Sequence, residues 1–292
     1  LVASMLALQR GRPRLATVAA SVAMLEPHIA LPACLALWLY EPRARRTLLA
    51  AGALALGLSL LLGPRTLVEY FTQVLPLHAR SETVADDDQY SLSALLYALG
   101  AVRPLADRLG ELSYLLTLGL GLWLAGRASR ALGEPAYLVA LPIAAAVLFG
   151  PFVHDHQMVA ALPAALLLYG AVRLKPRARR LALAACVALA VPLVTLADLD
   201  VVRSRLGPTK STTANLRVPP IDPQAIAEVP YALYVERVGR YGQPYTLPIR
   251  IALKTPTWLA LFVVLGLAWR LSAVPSQALA SEARRVAQPA SG

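Results

Sequence analysis

The chain has 292 residues, of which 57% are hydrophobic and only 15% are charged, and its formal net charge is +11. Soluble domains carry about 25% charged residues, so this composition excludes an ordinary soluble globular protein and favours one with several membrane helices. The positive charge does not require nucleic acid, because membrane proteins concentrate lysine and arginine in cytoplasmic loops. We therefore expect membrane lipid, and no nucleic acid, among the partners of this chain.

Apolar runs alternate with clusters of basic residues along the sequence. We expect helices over residues 1–8, 15–40, 47–63, 111–126, 136–153, 157–172, 181–197 and 253–271. The basic clusters lie in the short connections at 10–14, 43–46, 127–130 and 173–180. Short loops of this kind normally face the cytoplasm. The alternation predicts an all-α, polytopic transmembrane helical bundle.

The predicted bundle forms a single transmembrane domain over residues 1–272. Residues 273–292 are expected to be a disordered cytoplasmic tail. Because the chain begins at Leu1, within an apolar run, we expect an N-terminal part of a longer parent protein to precede it.

The apolar run 15–40 has a basic cluster at each end and Glu26-Pro27-His28 at its centre. A single crossing would leave one cluster on the wrong side of the membrane. Proline breaks a helix, and ionisable groups at membrane depth are costly unless they face a cavity. The sequence therefore predicts a broken half-helix hairpin that enters and leaves from the cytoplasmic side. The alternative is one tilted, kinked crossing.

Three segments remain for the opposite, outer side of the membrane. They are the external loops 64–110 and 198–252 and the short connection at 151–156. The four histidines are His28, His78, His154 and His156. In this topology none of them lies on the cytoplasmic side, and together they suggest one polar site on the outer face. The acidic run 86–88 is more typical of a solvated loop than of a ligand set. The tyrosines of 198–252 could stack on sugars or anchor the chain at the interface.

The string His154-Asp155-His156-Gln157 is the densest group of polar side chains beside an apolar helix. It allows three interpretations: a metal site, a polar helix end, or a catalytic or anion-binding site. No HExxH or paired-cysteine pattern accompanies it. We therefore favour the catalytic or anion-binding interpretation and expect neither a metal nor another cofactor.

Three stretches resemble motifs of the family 87 glycosyltransferases, which are membrane enzymes of the C superfamily. GPFVHDHQMVAALP resembles a motif in which a small residue and proline precede W-D-H-H and a later proline; Asp155 and His156 fall on the aspartate and the first histidine. His154 replaces the tryptophan, and Gln157 replaces the second histidine.

The other two stretches precede this one in the family's order and spacing. GRPRLATVAASVAMLEPHIALP is similar to the family's hairpin pattern of glycine, apolar residues, K-P-Q, apolar residues and proline. Glu26 stands in place of its basic residue and His28 in place of its glutamine. DQYSLSALL is similar to the family's N-Q-S-apolar motif and contributes Gln89.

The resemblance implies a C-superfamily type of fold and a hexosyltransferase, mannosyl in type, that works at the outer face of a bacterial plasma membrane. Its sugar donor would be a polyprenyl phosphate sugar, and its acceptor a lipid-linked molecule or a glycan. His156 would contact the phosphate or the sugar, and Asp155 would orient it or bind the acceptor. The resemblance also assigns substrate contacts to the remaining matched positions, which are Glu26, His28, Gln89, His154 and Gln157.

The main catalytic base would lie in the expected N-terminal part, so this chain alone is expected to be inactive. The alternative function is a polytopic lipid or solute transporter or flippase, which would also use a broken helix and a buried polar pair. A transporter would be expected to carry an internal inverted repeat, and the sequence shows none.

Overall fold

The computed structural model describes residues 1–61, 63–75, 89–150, 153–171, 174–193, 196 and 247–273. Some residues named in the sequence predictions lie outside these ranges. They are His78, the acidic run 86–88, the tyrosines of 198–252 and the tail from residue 274. The elements within the ranges are all helical, and two isolated β-bridges are the exceptions.

Eleven α-helices are described, with shorter helical turns between some of them. The α-helices are α1 Val2–Gln9, α2 Pro13–Val22, α3 Pro27–Tyr40, α4 Arg45–Leu61, α5 Pro64–Glu69, α6 Leu92–Ala98, α7 Arg103–Leu132, α8 Tyr137–Ala146, α9 Leu162–Gly170, α10 Pro176–Ala190 and α11 Leu247–Ala273. The shorter turns are the 3-10 helices Ala23–Leu25, Pro42–Ala44 and Asp155–Ala161 and the π-helix Tyr70–Val74.

Three of the described helical segments are long and apolar enough to cross a membrane: Pro42–Leu61, Arg103–Leu132 and Pro248–Ala273. No residue of α4 is buried against the rest of the protein, although most of its side chains are apolar. A helix with such a surface is stable in hydrocarbon and not in water. The composition and these three segments indicate a membrane protein.

Several predicted boundaries differ from the structure. α8 ends at Ala146, seven residues before the end of the predicted run 136–153, and α11 begins at Leu247, six residues before the predicted run 253–271. α7 begins at Arg103, eight residues before the predicted apolar run, and the described parts of the predicted loop 64–110 also contain α5 and α6. Arg103 and Asp107 interrupt the apolar pattern and are one helical turn apart. Arg103 Nε lies 3.8 Å from Asp107 Oδ2. This spacing is compatible with a helix, so the charged residues extend α7 rather than end it.

The chain doubles back at Glu26. α2 ends at Val22, Glu26 has φ −114° and ψ 83°, and Pro27 begins α3. α2 packs against α3, and the turn Pro42–Ala44 that follows α3 also lies against α2. A single kinked crossing would carry that turn far from α2, so the geometry is that of a hairpin of two short helices.

Several basic clusters gather at one end of the helices. The side-chain amide of Gln9 donates to Glu134 Oε2 at 3.0 Å, which joins the first basic cluster to the connection after α7. The Arg130 guanidinium lies 5.8 Å from the centre of the Tyr40 ring, at the end of α3. We call this the basic end, defined by Gln9, Tyr40, Arg130 and Glu134.

α11 also has one terminus at the basic end. Arg127 Nη2 donates to the carbonyl oxygen of Ser272 at 3.1 Å, which fixes the last turn of α11 beside the last turns of α7. The first turns of α11 therefore lie at the opposite end, as does Glu26 at the start of α3. We call this opposite end the site end.

α8 is the centre of the core. All ten of its residues are buried, and it packs against α7, α3 and α1. α7 approaches it closely at Gly121, where an added Cβ would lie 2.5 Å from Ala145 Cβ and 3.0 Å from Pro142 Cα. The absence of a side chain at Gly121 thus sets the distance between the two helices.

We expect Gly121→Ala to destabilise the protein by about 1–3 kcal/mol, because the added methyl group must push α7 away from α8. Gly119→Ala is the matched control, since nothing lies within 4 Å of a Cβ at that position of the same helix. It should be neutral or slightly stabilising, because alanine favours helix by about 0.5–1 kcal/mol over glycine. Thermal unfolding in detergent measures both variants, and an equal change in the two would contradict the close packing.

Candidate functional site

Glu26 and Gln157 meet at the site end, although 131 positions separate them in sequence. Gln157 Nε2 donates to Glu26 Oε2 at 3.3 Å. The contact places the tip of the α2–α3 hairpin against the His154–Gln157 segment. It brings together two of the segments that resemble the family motifs.

The third such segment pairs with the same region. Gln89 and His154 form an antiparallel β-bridge, and Tyr90 N donates to Val153 O at 2.7 Å. The hydrogen bond lies beside the bridge, so Gln89 and His154 form the closer, non-hydrogen-bonded type of pair, in which Cα atoms are about 4.5 Å apart. A second bridge joins Ser91 to Phe149. The three segments therefore share one site.

A tight turn before the site depends on Phe149 and Gly150. Phe149 has φ +58°, which is uncommon for a residue with a side chain. A Cβ on Gly150 would collide with the carbonyl oxygen of Ala146. The Phe149 ring packs 5.5 Å from the Trp258 ring and 6.0 Å from the Phe262 ring, which fixes it against α11. The turn thus redirects the chain from buried α8 into the site.

Gln157 uses both ends of its amide for contacts within the protein. Its Oε1 accepts from His154 N at 3.0 Å, and its backbone N–H donates to His154 O at 3.0 Å. This reciprocal arrangement caps the 3-10 helix Asp155–Ala161. Gln157 is only 8% exposed. Its side chain therefore positions the segment, and the substrate contact that the resemblance implies for Gln157 stays a prediction.

Asp155 and His156 are adjacent but differ in exposure. The His156 side chain is 68% exposed and the Asp155 side chain is 19% exposed. Asp155 Oδ1 accepts from the backbone N–H of His156 at 2.6 Å and lies 3.6 Å from His156 Nδ1. The second distance is too long for a hydrogen bond but close enough for attraction to a protonated imidazole.

The rings of His154 and His156 are stacked, with centres 5.6 Å apart and planes 11° from parallel. His154 is partly buried, so the stack supports the exposed His156 ring from one side. An exposed imidazole can donate a hydrogen bond to an anion or act as a general acid or base. The arrangement suits acid–base chemistry or phosphate binding at His156.

The two polar residues of the hairpin tip differ in burial. Glu26 is exposed and reaches Gln157. His28 is partly buried in the first turn of α3, and its Nε2 atom is buried. His28 therefore lies on the protein side of the hairpin tip, and Glu26 lies toward the His154–Gln157 segment.

Lys254 belongs to the site region, although sequence analysis included it in an apolar run without remark. Its Nζ donates to the carbonyl oxygen of Gln89 at 2.6 Å and lies 5.4 Å from the centre of the Tyr90 ring. It is 8% exposed. α11 carries three cations, Arg250, Lys254 and Arg270, and Lys254 is the one that is buried. A buried cation in a membrane helix is a signal of function, and the lysine was visible in the sequence.

Within the described residues, no group of three or more His, Cys, Asp or Glu side chains is placed to hold a metal ion. Comparisons of the chain with known protein-family models, with curated proteins and with solved structures find no match. The geometry of the site and the resemblance of its three segments are therefore the basis for a functional proposal.

The Glu26–Gln157 contact predicts that Glu26→Cys and Gln157→Cys can be joined by a short bifunctional thiol reagent. Both native cysteines, Cys34 and Cys186, are buried and would first be replaced by alanine. The matched control pairs Glu26→Cys with Glu134→Cys, which lies at the basic end. Peptide mass spectrometry should find the linked peptide in the first pair. Equal linkage in both pairs, or none in the first, would contradict the described site.

Proposed function

We propose that the chain is part of a polytopic glycosyltransferase of a bacterial plasma membrane. It would move a hexose, mannose by the resemblance, from a polyprenyl phosphate donor to a lipid-linked or glycan acceptor at the outer face. One observation carries the proposal: the segments of Glu26, Gln89 and His154–Gln157 each resemble a family motif, and they meet at one site. If the motif matches were accidental, the three matched segments would not be expected to meet at one site.

The position of the site supports a lipid-linked donor. The site lies at the end of apolar helices and opposite the basic end, which short arginine-rich loops mark as cytoplasmic. The hydrocarbon tail of a polyprenyl phosphate would stay in the bilayer while its phosphate and sugar reached the polar residues. Partition of the tail into the bilayer would concentrate the donor at the membrane without any protein group recognising the sugar.

In the proposed reaction, an acceptor hydroxyl oxygen attacks the anomeric carbon of the sugar. The bond between that carbon and the phosphate oxygen breaks, and the electron pair leaves with the lipid phosphate. A base takes the proton of the hydroxyl group; the resemblance implies an aspartate N-terminal to Leu1 for this role. His156 is exposed and can donate to the phosphate oxygen on which charge develops.

Asp155 would act through His156. Its carboxylate is held by the backbone N–H of His156 and faces Nδ1 of the same residue. The carboxylate would thereby restrict the orientation of the imidazole ring. Stacking on His154 would restrict the ring further. The acceptor is the alternative partner of Asp155.

The proposed orientation predicts opposite labelling of two exposed positions in intact cells. His156→Cys should react with a membrane-impermeant thiol reagent, and Arg179→Cys should react only after the cells are permeabilised. The reason is that the basic cluster 173–180 is expected in the cytoplasm and His156 at the outer face. Labelling of Arg179→Cys in intact cells would contradict the orientation.

In the full-length parent protein, His156→Ala should reduce glycosyl transfer by about 100- to 1000-fold, because a donor to the developing charge is lost. The assay follows labelled sugar from polyprenyl phosphate to an acceptor in isolated membranes, at equal expression. Val159→Ala is the matched control, since Val159 is an exposed apolar residue of the same 3-10 helix.

Activity of His156→Ala within about threefold of wild type would reject the catalytic assignment, since about 0.7 kcal/mol is too little for such a role. A wild-type protein that moved the intact lipid or a solute, without transferring sugar, would instead support the transporter alternative. The assay distinguishes the two, because transfer creates a new glycosidic product and transport does not.

A further inference from the structure

The Gln89–Ser91 segment lies between two other parts of the protein. On one side it pairs with Phe149, Val153 and His154 through the two β-bridges and the Tyr90 N–Val153 O hydrogen bond. On the other side, α11 supplies two donors. Lys254 Nζ donates to Gln89 O, and Trp258 Nε1 donates to Tyr90 O at 3.4 Å.

Lys254 and Trp258 are four residues apart, so they project from the same face of α11. The Tyr90 side chain fits between them. Tyr90 is fully buried, and its ring meets the Trp258 ring edge to face with the ring centres 5.9 Å apart. Lys254 Nζ lies over the Tyr90 ring. Both α11 residues thus hold one segment through its backbone and through its aromatic side chain.

We propose that Lys254 is a positioning residue, and that Lys254 and Trp258 form a clamp that fixes Gln89 beside His154. The clamp acts on the site through one intervening segment: Lys254 holds Gln89, and Gln89 pairs with His154. His154 in turn stacks on His156. Neither clamp residue needs to touch a substrate.

The chemistry of lysine explains why a cation occupies this position. An ammonium group buried in a membrane helix is costly unless it is satisfied within the protein. Here its charge strengthens the hydrogen bond to the Gln89 carbonyl and attracts the face of the Tyr90 ring. A neutral apolar residue of equal length would fill the space but would leave that carbonyl oxygen without this donor.

The primary test is independent of catalysis. In a background without Cys34 and Cys186, Gln89→Cys and His154→Cys should form a disulfide with a mild oxidant, because such bridge pairs have Cα atoms about 4.5 Å apart. Lys254→Met should slow this oxidation at least about fivefold, since disulfides require narrow geometry. Lys254→Arg keeps the charge and the donors, and should restore the rate to within about twofold.

Arg270→Met is the matched control. It removes a cation from the same helix at the opposite, basic end, where the side chain is exposed, and should leave the oxidation rate unchanged. Trp258→Phe provides a second clamp variant that keeps an aromatic ring but loses the Nε1 donor. It should slow oxidation and retain the fold, even if Lys254→Met does not fold. Unchanged oxidation in both clamp variants would overturn the proposal.

A second measurement links the clamp to the proposed function and rests on it. In the full-length parent, Lys254→Met should reduce sugar transfer at least about tenfold, and Lys254→Arg should recover most of it, because misplacement of about 1 Å already costs rate. If wild-type protein transfers no sugar while Lys254→Met still slows the disulfide, the proposed function fails and the clamp stands. Full transfer by Lys254→Met would reject the clamp as a catalytic support.

Discussion

Backbone hydrogen bonding at Gln89–Ser91 is the constraint on which the site depends. This segment is not helical, and it lies among buried residues of a protein with membrane-like composition. Backbone groups in such surroundings must find partners within the chain. The partners come from Val153 on one side and from Lys254 and Trp258 on the other. The hydrogen bonds to the backbone of this short segment therefore join α11 to the turn after α8, and they bring both elements to the hairpin tip.

Two departures from the family pattern are in contact with each other. Glu26 stands where the resembled hairpin has a basic residue, and Gln157 stands where the resembled motif has a second histidine. Gln157 Oε1 accepts from His154 N, and it is the Nε2 donor that faces the hairpin. A lysine at position 26 carries donors alone and could not accept from Nε2, whereas a carboxylate can. Glu26 and Gln157 are thus chemically matched to each other.

Sequence periodicity and charge were sufficient for much of the helical framework. The break at Glu26-Pro27 followed from the proline and from basic clusters at both ends, and the structure doubles back at that point. The histidines also led to the expectation of one polar site that includes His28 and His156, and their neighbours Glu26 and Gln157 are in contact. These features depend on local chemistry or on an arrangement that the sequence itself displays.

Other features depend on contacts between distant residues and could not be derived in that way. The contact between Lys254 and the Gln89 carbonyl joins positions 165 apart, and no local pattern specifies a partner for a single lysine. The role of Gly150 depends on the position of the Ala146 carbonyl oxygen in the folded turn. The start of α7 at Arg103 was missed because charged residues hid a helix that their i, i+4 spacing supports.

Helix length limits how deep the site lies. α3 has 14 residues and therefore spans about 21 Å at about 1.5 Å per residue. A hydrocarbon core is about 30 Å thick, so a helix that starts at the basic end and ends at Glu26 stops roughly 9 Å short of the outer boundary. The hairpin tip would then be recessed within the outer leaflet. A recessed tip needs polar neighbours, which explains why Glu26 meets Gln157 instead of lipid. A recessed site would be consistent with the lipid-linked donor that we propose, whose phosphate is anchored by a tail in the bilayer.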